Sequence, residues 1–285
     1  MAAFSRFLEK KYVNQLNQVK KIICVASGKG GVGKSTTAIN LAVGLGLEGH
    51  KVGLLDADIY GPSLPVMMGI SAGTRPEIRD KKFMVPLTAH GIECNSMGLL
   101  VDSNTAMVWR APMIISAFNQ ILMDTLWSSL DYLIIDMPPG TGDIQLSLAQ
   151  NIAVNGALIV TTPQDIALAD VRRGVEMFKK VGIPIIGVVE NMSMHVCSEC
   201  GHEEAVFGTG GADKLASDYG IDVIERLPLD VKIREQTDSG LPVVISDSGN
   251  GVGASYISLA KSLNKIVHSD AFCEDSVPEI VIKDN

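Results

Sequence analysis

The sequence predicts an α/β protein whose mostly parallel β-sheet is covered by helices on both faces. Strongly apolar runs alternate along the chain with segments of helical pattern, and strands this apolar are typical of parallel sheets buried on both sides. A glycine-rich loop at residues 28–36 follows the first apolar run and precedes the first helical segment. That order of strand, loop and helix is the context that a phosphate-binding loop requires.

Each predicted strand is a short apolar run. In chain order the predicted strands occupy residues 22–27, 52–56, 92–97, 132–137, 157–161, 185–189 and 223–227. A helix is predicted after the glycine-rich loop, at residues 36–47. The last helix is predicted at residues 254–267, where Tyr256, Leu259 and Leu263 recur at helical spacing, and this favours a face turned toward the core.

Composition limits the domain organisation and the classes of partner. A chain of 285 residues, 46% hydrophobic and 5% aromatic, fits one large α/β domain, which we place at residues 21–268. A short segment at residues 1–20 precedes it, and an acidic, flexible tail at residues 269–285 follows it. The net charge of −8 disfavours binding to a nucleic-acid backbone, and no uninterrupted apolar segment is long enough to span a membrane. We therefore expect neither nucleic acid nor membrane as a partner.

Cysteine usage and the N-terminal sequence bear on the compartment. Five cysteines, an odd number that includes one C-x-x-C pair, suit a reducing compartment better than a disulfide framework. Residues 1–20 lack the apolar core of a secretion signal, although Arg6, Lys10 and Lys11 give them a basic bias that Glu9 interrupts. The expected location is the cytoplasm, with the mitochondrial matrix as the alternative.

The loop at residues 28–36 has the features of a nucleotide-binding loop. Its glycines let backbone N–H groups converge on phosphate oxygens, and the N-terminus of the following helix adds a partial positive charge. Lys34 is expected to reach the β- and γ-phosphates, and the Ser35 hydroxyl is expected to bind Mg²⁺. The candidate nucleotide-binding residues of this loop are Gly28, Lys29, Gly30, Gly31, Val32, Gly33, Lys34, Ser35 and Thr36.

Acidic residues close two of the predicted strands, at the edge where ligands gather in parallel sheets. Asp136 has the Walker B arrangement, in which a carboxylate holds Mg²⁺ directly or through water, and the Pro-Pro-Gly-Thr-Gly run after it is predicted to sense the γ-phosphate. Asp56 and Asp58 end an earlier strand. For these two residues a functional role and the capping of the following turn both remain open.

Base recognition is expected after a late strand. Asn191 follows the run at residues 185–189, and its side chain can both donate to and accept from a purine edge. Pro228, within Leu-Pro-Leu, marks a second candidate base-contacting loop. An ordinary strand-to-helix turn is the alternative interpretation of that second segment.

Cys197 and Cys200 form a C-x-x-C pair that can hold a soft metal. Two thiolates are half of a four-ligand site, and a twofold dimer would supply the other half, which suits a 4Fe-4S cluster bridging two chains. Three other interpretations remain. His195 and His202 could complete a Cys₂His₂ zinc site, the pair could be a redox dithiol, or it could be structural and free of metal.

A second lysine, Lys29, lies inside the glycine-rich loop, where the ordinary motif accepts almost any residue. Alone, it would be interpreted as a solvated surface charge. The pattern K-G-G-x-G-K-[ST] resembles the deviant Walker A signature of nitrogenase iron protein, the Min and Par positioning ATPases and the Mrp/ApbC family. In that group the signature lysine crosses a dimer interface, and an aspartate at the place of Asp58 positions or activates the attacking water. The resemblance implies a homodimer with Lys29, Lys34, Asp58 and Asp136 as catalytic residues.

Further segments resemble the Mrp/ApbC/NUBPL family of P-loop iron–sulfur cluster carrier ATPases. They are SGKGGVGKST (27–36), LLDADIYGPS (54–63), VWRAP (108–112), DMPPGTGD (136–143), TPQDIAL (162–168), ENMS (190–193), CSECGHEEAVFGTGGA (197–212) and PLDVKIREQTDSGLPVV (228–244). This resemblance implies a P-loop NTPase fold of the deviant Walker A group, with Asn191 at the adenine. It also implies ATP hydrolysis, with ATP, Mg²⁺ and a 4Fe-4S cluster as bound groups. Hydrolysis is expected to be slow, because the sequence shows no dedicated arginine finger other than Lys29 acting from a second chain. Apo iron–sulfur proteins would be the recipients of the cluster, and cluster scaffold proteins its donors.

Competing functions are a positioning ATPase of the Min or Par type, a zinc-stabilised ATPase without a cluster, and an electron donor like nitrogenase iron protein. A positioning ATPase needs a membrane-seeking helix or a DNA-binding face. The predicted last helix favours a core role instead, because an acidic rather than a basic segment follows it. The cysteines of nitrogenase iron protein are single and widely spaced, unlike Cys197 and Cys200.

Overall fold

The computed structural model describes residues 15–59, 61–100, 111–140, 144, 152–247, 249, 251–270 and 272. Its strands are β1 (Val19–Ala26), β2 (Val52–Asp56), β3 (Ile78–Arg79), β4 (Phe83–Met84), β5 (Leu87–Ala89), β6 (Ile92–Ser96), β7 (Leu130–Asp136), β8 (Gly156–Thr161), β9 (Ile185–Glu190), β10 (His195–Val196), β11 (Glu203–Glu204) and β12 (Val223–Arg226). Its helices are α1 (Lys34–Leu47), α2 (Leu64–Met67), α3 (Ala111–Asp124), α4 (Asp165–Lys180), α5 (Gly211–Tyr219), α6 (Val231–Asp238), α7 (Val243–Ser246) and α8 (Val252–Val267). Gln15–Gln18 and Met97–Leu99 form short 3₁₀ helices.

An eight-stranded sheet in the order β12-β9-β8-β1-β7-β2-β6-β5 forms the centre of the fold. Neighbouring strands are parallel, except that β5 runs antiparallel to β6 at one edge. Every strand predicted from an apolar run belongs to this sheet, so the predicted α/β class is confirmed. The prediction did not include β5 or the small two-stranded pairs β3–β4 and β10–β11.

Helices cover both faces of the sheet because alternate residues of its strands point to opposite sides. On β1, Ile23 and Val25 pack into the core shared with α1 and α8, whereas Cys24 packs into the core shared with α3, α4 and α5. The predicted core role of the last helix is confirmed, since Tyr256 and Leu259 are 0% exposed. No helix within the described ranges has both the length and the apolar character needed to cross a bilayer.

The parallel arrangement brings the carboxyl ends of β1, β2 and β7 to one edge. Asp56, the last residue of β2, is in register with Asp136, the last residue of β7. The loop that leaves β1 enters α1 beside them. The predicted N-terminal segment and tail lie mostly outside the described residues, although Phe272 packs against the core cluster that contains Ile186.

Candidate functional site

The glycine-rich loop joins β1 to α1 at the carboxyl edge of the sheet. Gly33 caps α1 with φ +82°, a left-handed conformation that favours glycine, and a Cβ at this position would lie 2.1 Å from Nδ2 of Asn191. At Gly28 a Cβ would lie 2.4 Å from the backbone of Asp170 and Val171 in α4. The loop therefore packs tightly against two other segments, and neither glycine has room for a side chain.

A cavity of about 270 Å³ lies over this loop. It is lined by Ser27, Lys29, Gly30, Gly31, Gly33, Lys34, Ser35, Thr36, Asp58, Gly61, Ser63, Met67 and Pro139. Of the residues predicted from sequence, Lys29, Lys34, Ser35 and Asp58 thus meet at one cavity, next to the N-terminus of α1. Asn191 and Pro228 do not line this cavity. The residues at 141–143, predicted to continue the γ-phosphate sensor, lie outside the described residues.

Lys34 and Asp136 form a buried ion pair at the floor of the site. The Lys34 ammonium donates to Oδ1 of Asp136 and lies 3.3 Å from Oγ of Ser35. The side chains of the ion pair are 7% and 3% exposed. Burial raises the pKa of Asp136, while the nearby Lys34 charge opposes that rise. A cationic lysine, a hydroxyl and a carboxylate at a helix N-terminus fit a phosphate chain with its Mg²⁺.

Asp56 is fully buried and organises the loop that follows β2. Its carboxylate accepts hydrogen bonds from Ser96 Oγ at 2.9 Å, from the Asp58 N–H at 3.0 Å and from the Leu64 N–H at 3.2 Å. Burial and the charge of Asp136 raise the pKa of Asp56 to about 7. The capping role left open for Asp56 is therefore present, and it holds the half-buried Asp58 at the cavity wall.

The sequence left the roles of Asp56 and Asp58 open, and no local pattern places Asp56 beside Asp136. That position follows from the parallel pairing of β2 with β7. The hydroxyl of Ser63, which also lines the cavity, was not predicted. Its oxygen is buried without a hydrogen-bond partner among the described residues.

Asn191 lies beside the phosphate loop. Its side-chain amide donates to the carbonyl of Val32 at 2.8 Å, and its backbone N–H donates to Thr161 at 2.7 Å. Pro228 lies on the neighbouring segment, where the carbonyl of Leu227 accepts from the Ser193 N–H at 3.0 Å. The two candidate base-contacting segments are therefore adjacent, and their contact with a base stays a prediction.

Cys197 and Cys200 lie in a turn between the antiparallel strands β10 and β11. The Cys197 N–H donates to the carbonyl of His202 at 2.9 Å, and the Gly201 N–H donates to the carbonyl of Cys197 at 2.9 Å. The backbone N–H groups of Cys200 and Glu199 lower the pKa of the Cys197 thiol. Cys200 is exposed and Cys197 is half-buried. The turn therefore presents two thiols to the outside, one of them biased toward the thiolate that binds metals.

The flanking histidines do not complete a metal site within the chain. Nδ1 of His195 lies 3.0 Å from the carbonyl of Leu229, which ties that ring to the neighbouring segment. Across the described part of the chain, no three His, Cys, Asp or Glu side chains are grouped as metal ligands. In the part of the chain that the structure describes, His195 and His202 are therefore not grouped with the two cysteines as a set of four ligands. Cys197 and Cys200 remain candidate metal ligands, and both are free thiols.

The chain is similar to known proteins over most of its length. The model of the NUBPL iron-transfer P-loop NTPase family matches residues 18–264. An iron-sulfur cluster carrier protein of Pseudomonas fragi is 60% identical over 245 residues, which cover 86% of this chain and 85% of that protein. The iron-sulfur cluster transfer protein NUBPL of Mus musculus is 48% identical over 261 residues, which cover 91% and 81% of the respective chains.

A solved structure agrees with these matches. The nucleotide-binding protein of Archaeoglobus fulgidus in complex with ADP has a TM-score of 0.70 and 36% identity, over 81% of this chain and 91% of that chain. The family match spans both the phosphate loop at residues 28–36 and the cysteine turn at residues 197–200. The chain therefore belongs to the NUBPL iron-transfer family of P-loop NTPases.

Proposed function

We propose that the protein is an ATP-dependent carrier that holds a 4Fe-4S cluster between two copies of the chain and delivers it to apoproteins. The observation that carries the proposal is the half-site of Cys197 and Cys200, presented on a turn whose supporting segment begins at Asn191, beside the phosphate loop. The names of the related carrier and transfer proteins support the identity of the cargo. Scaffold proteins would donate the cluster and apo iron–sulfur proteins would receive it, in the cytoplasm or the mitochondrial matrix.

A homodimer follows from the count of ligands. Iron–sulfur clusters of this type are held by four thiolates, and a twofold axis between two chains brings two C-x-x-C pairs together. Lys29 lines the nucleotide cavity and is half-buried at its wall, where the proposed role is to reach across the same axis to the partner's phosphates. Nucleotide and cluster would then both be completed by the second copy.

The nucleotide step would use the residues that line the cavity together with Asp136, which is paired with Lys34. Lys34 would hold the β- and γ-phosphates, Ser35 and Asp136 would hold Mg²⁺, and Asp58 would position the attacking water. When bound, Mg²⁺ would neutralise part of the negative charge of the phosphates. Because Lys34 and Asp136 are paired with each other, a bound nucleotide has to draw the lysine toward the phosphates. ATP turnover would be slow. ATP can change cluster binding only to the extent that ATP binds one of the two states of the dimer more tightly than the other.

Anaerobic reconstitution tests the proposal. The chain is loaded with iron and sulfide, and both are counted together with the oligomeric mass. We expect about two irons and two sulfides per chain in a dimer, as one shared 4Fe-4S cluster requires. Cys197→Ala should lose the cluster and retain ATP binding, whereas Cys273→Ser, a thiol outside the pair, should retain both. Zinc alone, or a cluster-loaded monomer, would refute the shared cluster.

A further inference from the structure

Residues 191–211, called here the cysteine loop, connect the end of β9 to the start of α5. Glu190, the last residue of β9, joins the two ends of this loop. Its Oε2 accepts a hydrogen bond at 2.9 Å from the backbone N–H of Ala212, in the first turn of α5. Glu190 is 2% exposed, so its carboxylate is held inside the protein at the root of the loop.

The same carboxylate is tied to the neighbouring strand. Oε1 of Glu190 lies 3.4 Å from Nε of Arg226 at the end of β12, and Arg226 also hydrogen-bonds Asp213 of α5. A backbone hydrogen bond makes a second connection between Glu190 and the end of β12, because the Leu227 N–H donates to the carbonyl of Glu190 at 2.9 Å. A buried carboxylate is tolerated only when it is paired and hydrogen-bonded, and Arg226 and Ala212 meet that requirement.

Glu190 ends β9 and Asn191 begins the turn that follows, and their side chains contact different segments. Asn191 donates to the carbonyl of Val32 in the phosphate loop at 2.8 Å, while Glu190 contacts α5 and β12. Two adjacent residues thus contact the phosphate loop on one side and the far end of the cysteine loop on the other. Because Asn191 binds the Val32 carbonyl and is joined to Glu190 by one peptide unit, a movement of that carbonyl would displace Asn191 and, through it, Glu190.

The first arm of the cysteine loop continues this connection outward. The Ser193 N–H donates to Leu227 at 3.0 Å, and the Leu229 N–H donates to Met194 at 2.8 Å. His195 then contacts the Leu229 carbonyl at 3.0 Å, directly before the turn that carries Cys197. The direction in which the thiols face is therefore set by this arm and by the root at Glu190.

We propose that Glu190 is a positioning residue for cluster transfer, which fixes the cysteine loop to the phosphate loop so that nucleotide binding changes the setting of Cys197 and Cys200. The inference rests on the proposed function, because it assigns to one residue the coupling between nucleotide and cluster. Glu190 lies neither in the lining of the nucleotide cavity nor in the turn that carries the cysteines. Its effect is carried by Asn191 on one side and by the Ala212 and Arg226 contacts on the other.

Thiol labelling of the full-length apo chain tests this without a cluster. Cys24 and Cys94 are 0% exposed, so in a Cys273→Ser background the labelling rate reports Cys197 and Cys200. The rate is measured with and without Mg²⁺ and ATP. We expect a change of at least about fivefold in the parent chain, the low end of typical coupling between two sites, and less than about twofold in Glu190→Gln, with ATP affinity retained.

Matched variants separate this role from general stability. Asp213→Asn removes an exposed partner of Arg226 but keeps both contacts of Glu190, and it should respond to ATP like the parent. Arg226→Gln removes the counter-ion of Glu190 and should abolish the effect of ATP on thiol labelling. If Glu190→Gln does not fold, Arg226→Gln serves as the test variant in its place.

The outcomes are distinct. If ATP does not change the labelling rate of the parent chain, the coupling between nucleotide and cluster in the proposed function is wrong. A responsive parent with an equally responsive Glu190→Gln overturns only the role of Glu190. Loss of ATP binding in Glu190→Gln would also overturn it, since Glu190 would then support the nucleotide site and not the placement of the thiols.

Discussion

At the scale of single residues, Lys34 and Asp136 neutralise each other inside the protein. Lys34→Ala removes the charge expected to hold the phosphates and leaves Asp136 buried without its counter-ion. We expect ATP binding to be lost in a calorimetric titration, and the free energy of unfolding to fall by up to about 3–5 kcal/mol, as for other broken buried pairs. Unchanged ATP affinity would show that another group holds the phosphates.

Lys29 should behave differently from Lys34, although both line the same cavity. If Lys29 acts on the partner's nucleotide, Lys29→Ala should still bind ATP within each chain. Hydrolysis, measured as phosphate release, should fall by about a thousandfold, the low end for a cationic residue supplied across an interface. A parallel loss of ATP affinity in dilute, monomeric protein would instead place Lys29 at the nucleotide of its own chain.

Sequence reasoning at this scale was effective where a motif fixes a local conformation. Lys34 and Ser35 were predicted from the glycine-rich motif, and Lys29 and Asp58 from the family resemblance, and the structure brings all four to one cavity. The bond from Asn191 to Val32 could not be predicted, because it joins segments 159 residues apart that meet only after the sheet has formed. The contacts of Glu190 were missed for the same reason, since the sequence alone does not show that the segment after Gly211 returns to β9.

At the scale of elements, α8 offers a paired test. The hydroxyl of Tyr256 is buried and has no hydrogen-bond partner among the described residues, whereas the Tyr132 hydroxyl on β7 donates to Asn264 of α8 at 2.5 Å. Tyr256→Phe should therefore leave stability unchanged or raise it by about 1 kcal/mol, while Tyr132→Phe should lower it by about 1 kcal/mol. Urea unfolding measures both, and equal losses would contradict the assignment.

The junction of β1 and α1 offers another test. Gly33→Ala forces a side chain into a left-handed conformation and against Asn191, so we expect a loss of about 1–3 kcal/mol and a displaced phosphate loop. Gly30→Ala is the matched control for stability, because a Cβ there meets nothing within 4 Å. Thermal unfolding of the two variants without nucleotide compares them. A Gly33→Ala protein as stable as Gly30→Ala would mean that the loop can relax around the methyl group.

The elements that the sequence predicted are those whose pattern depends on burial. Long strands such as β1 and β7 can be recognised in the sequence as apolar runs, because both faces of the sheet are covered. The strands β5, β10 and β11 are two or three residues long, and such segments are too short for alternation to appear. They are created by their pairing partners, which no local pattern reveals.

At the scale of the whole molecule, the proposed dimer should depend on nucleotide. Asp58→Ala is expected to bind ATP without hydrolysing it, and so to accumulate the closed dimer. Light scattering should then give twice the mass of one chain with ATP and Mg²⁺. Removal of Mg²⁺ by a chelator should shift the mass back toward the monomer, and a monomer under all conditions would contradict the proposal.

The cysteine loop is attached to the rim of the sheet, and none of the residues in the two described core clusters falls between 191 and 211. Its antiparallel strands β10 and β11 pair with each other outside the main sheet. A shorter turn grafted in place of residues 196–204 should therefore yield a folded ATPase with no iron. In the proposed carrier, the metal-binding turn would therefore be a separable unit, which could be exchanged for another binding turn without redesign of the NTPase fold beneath it.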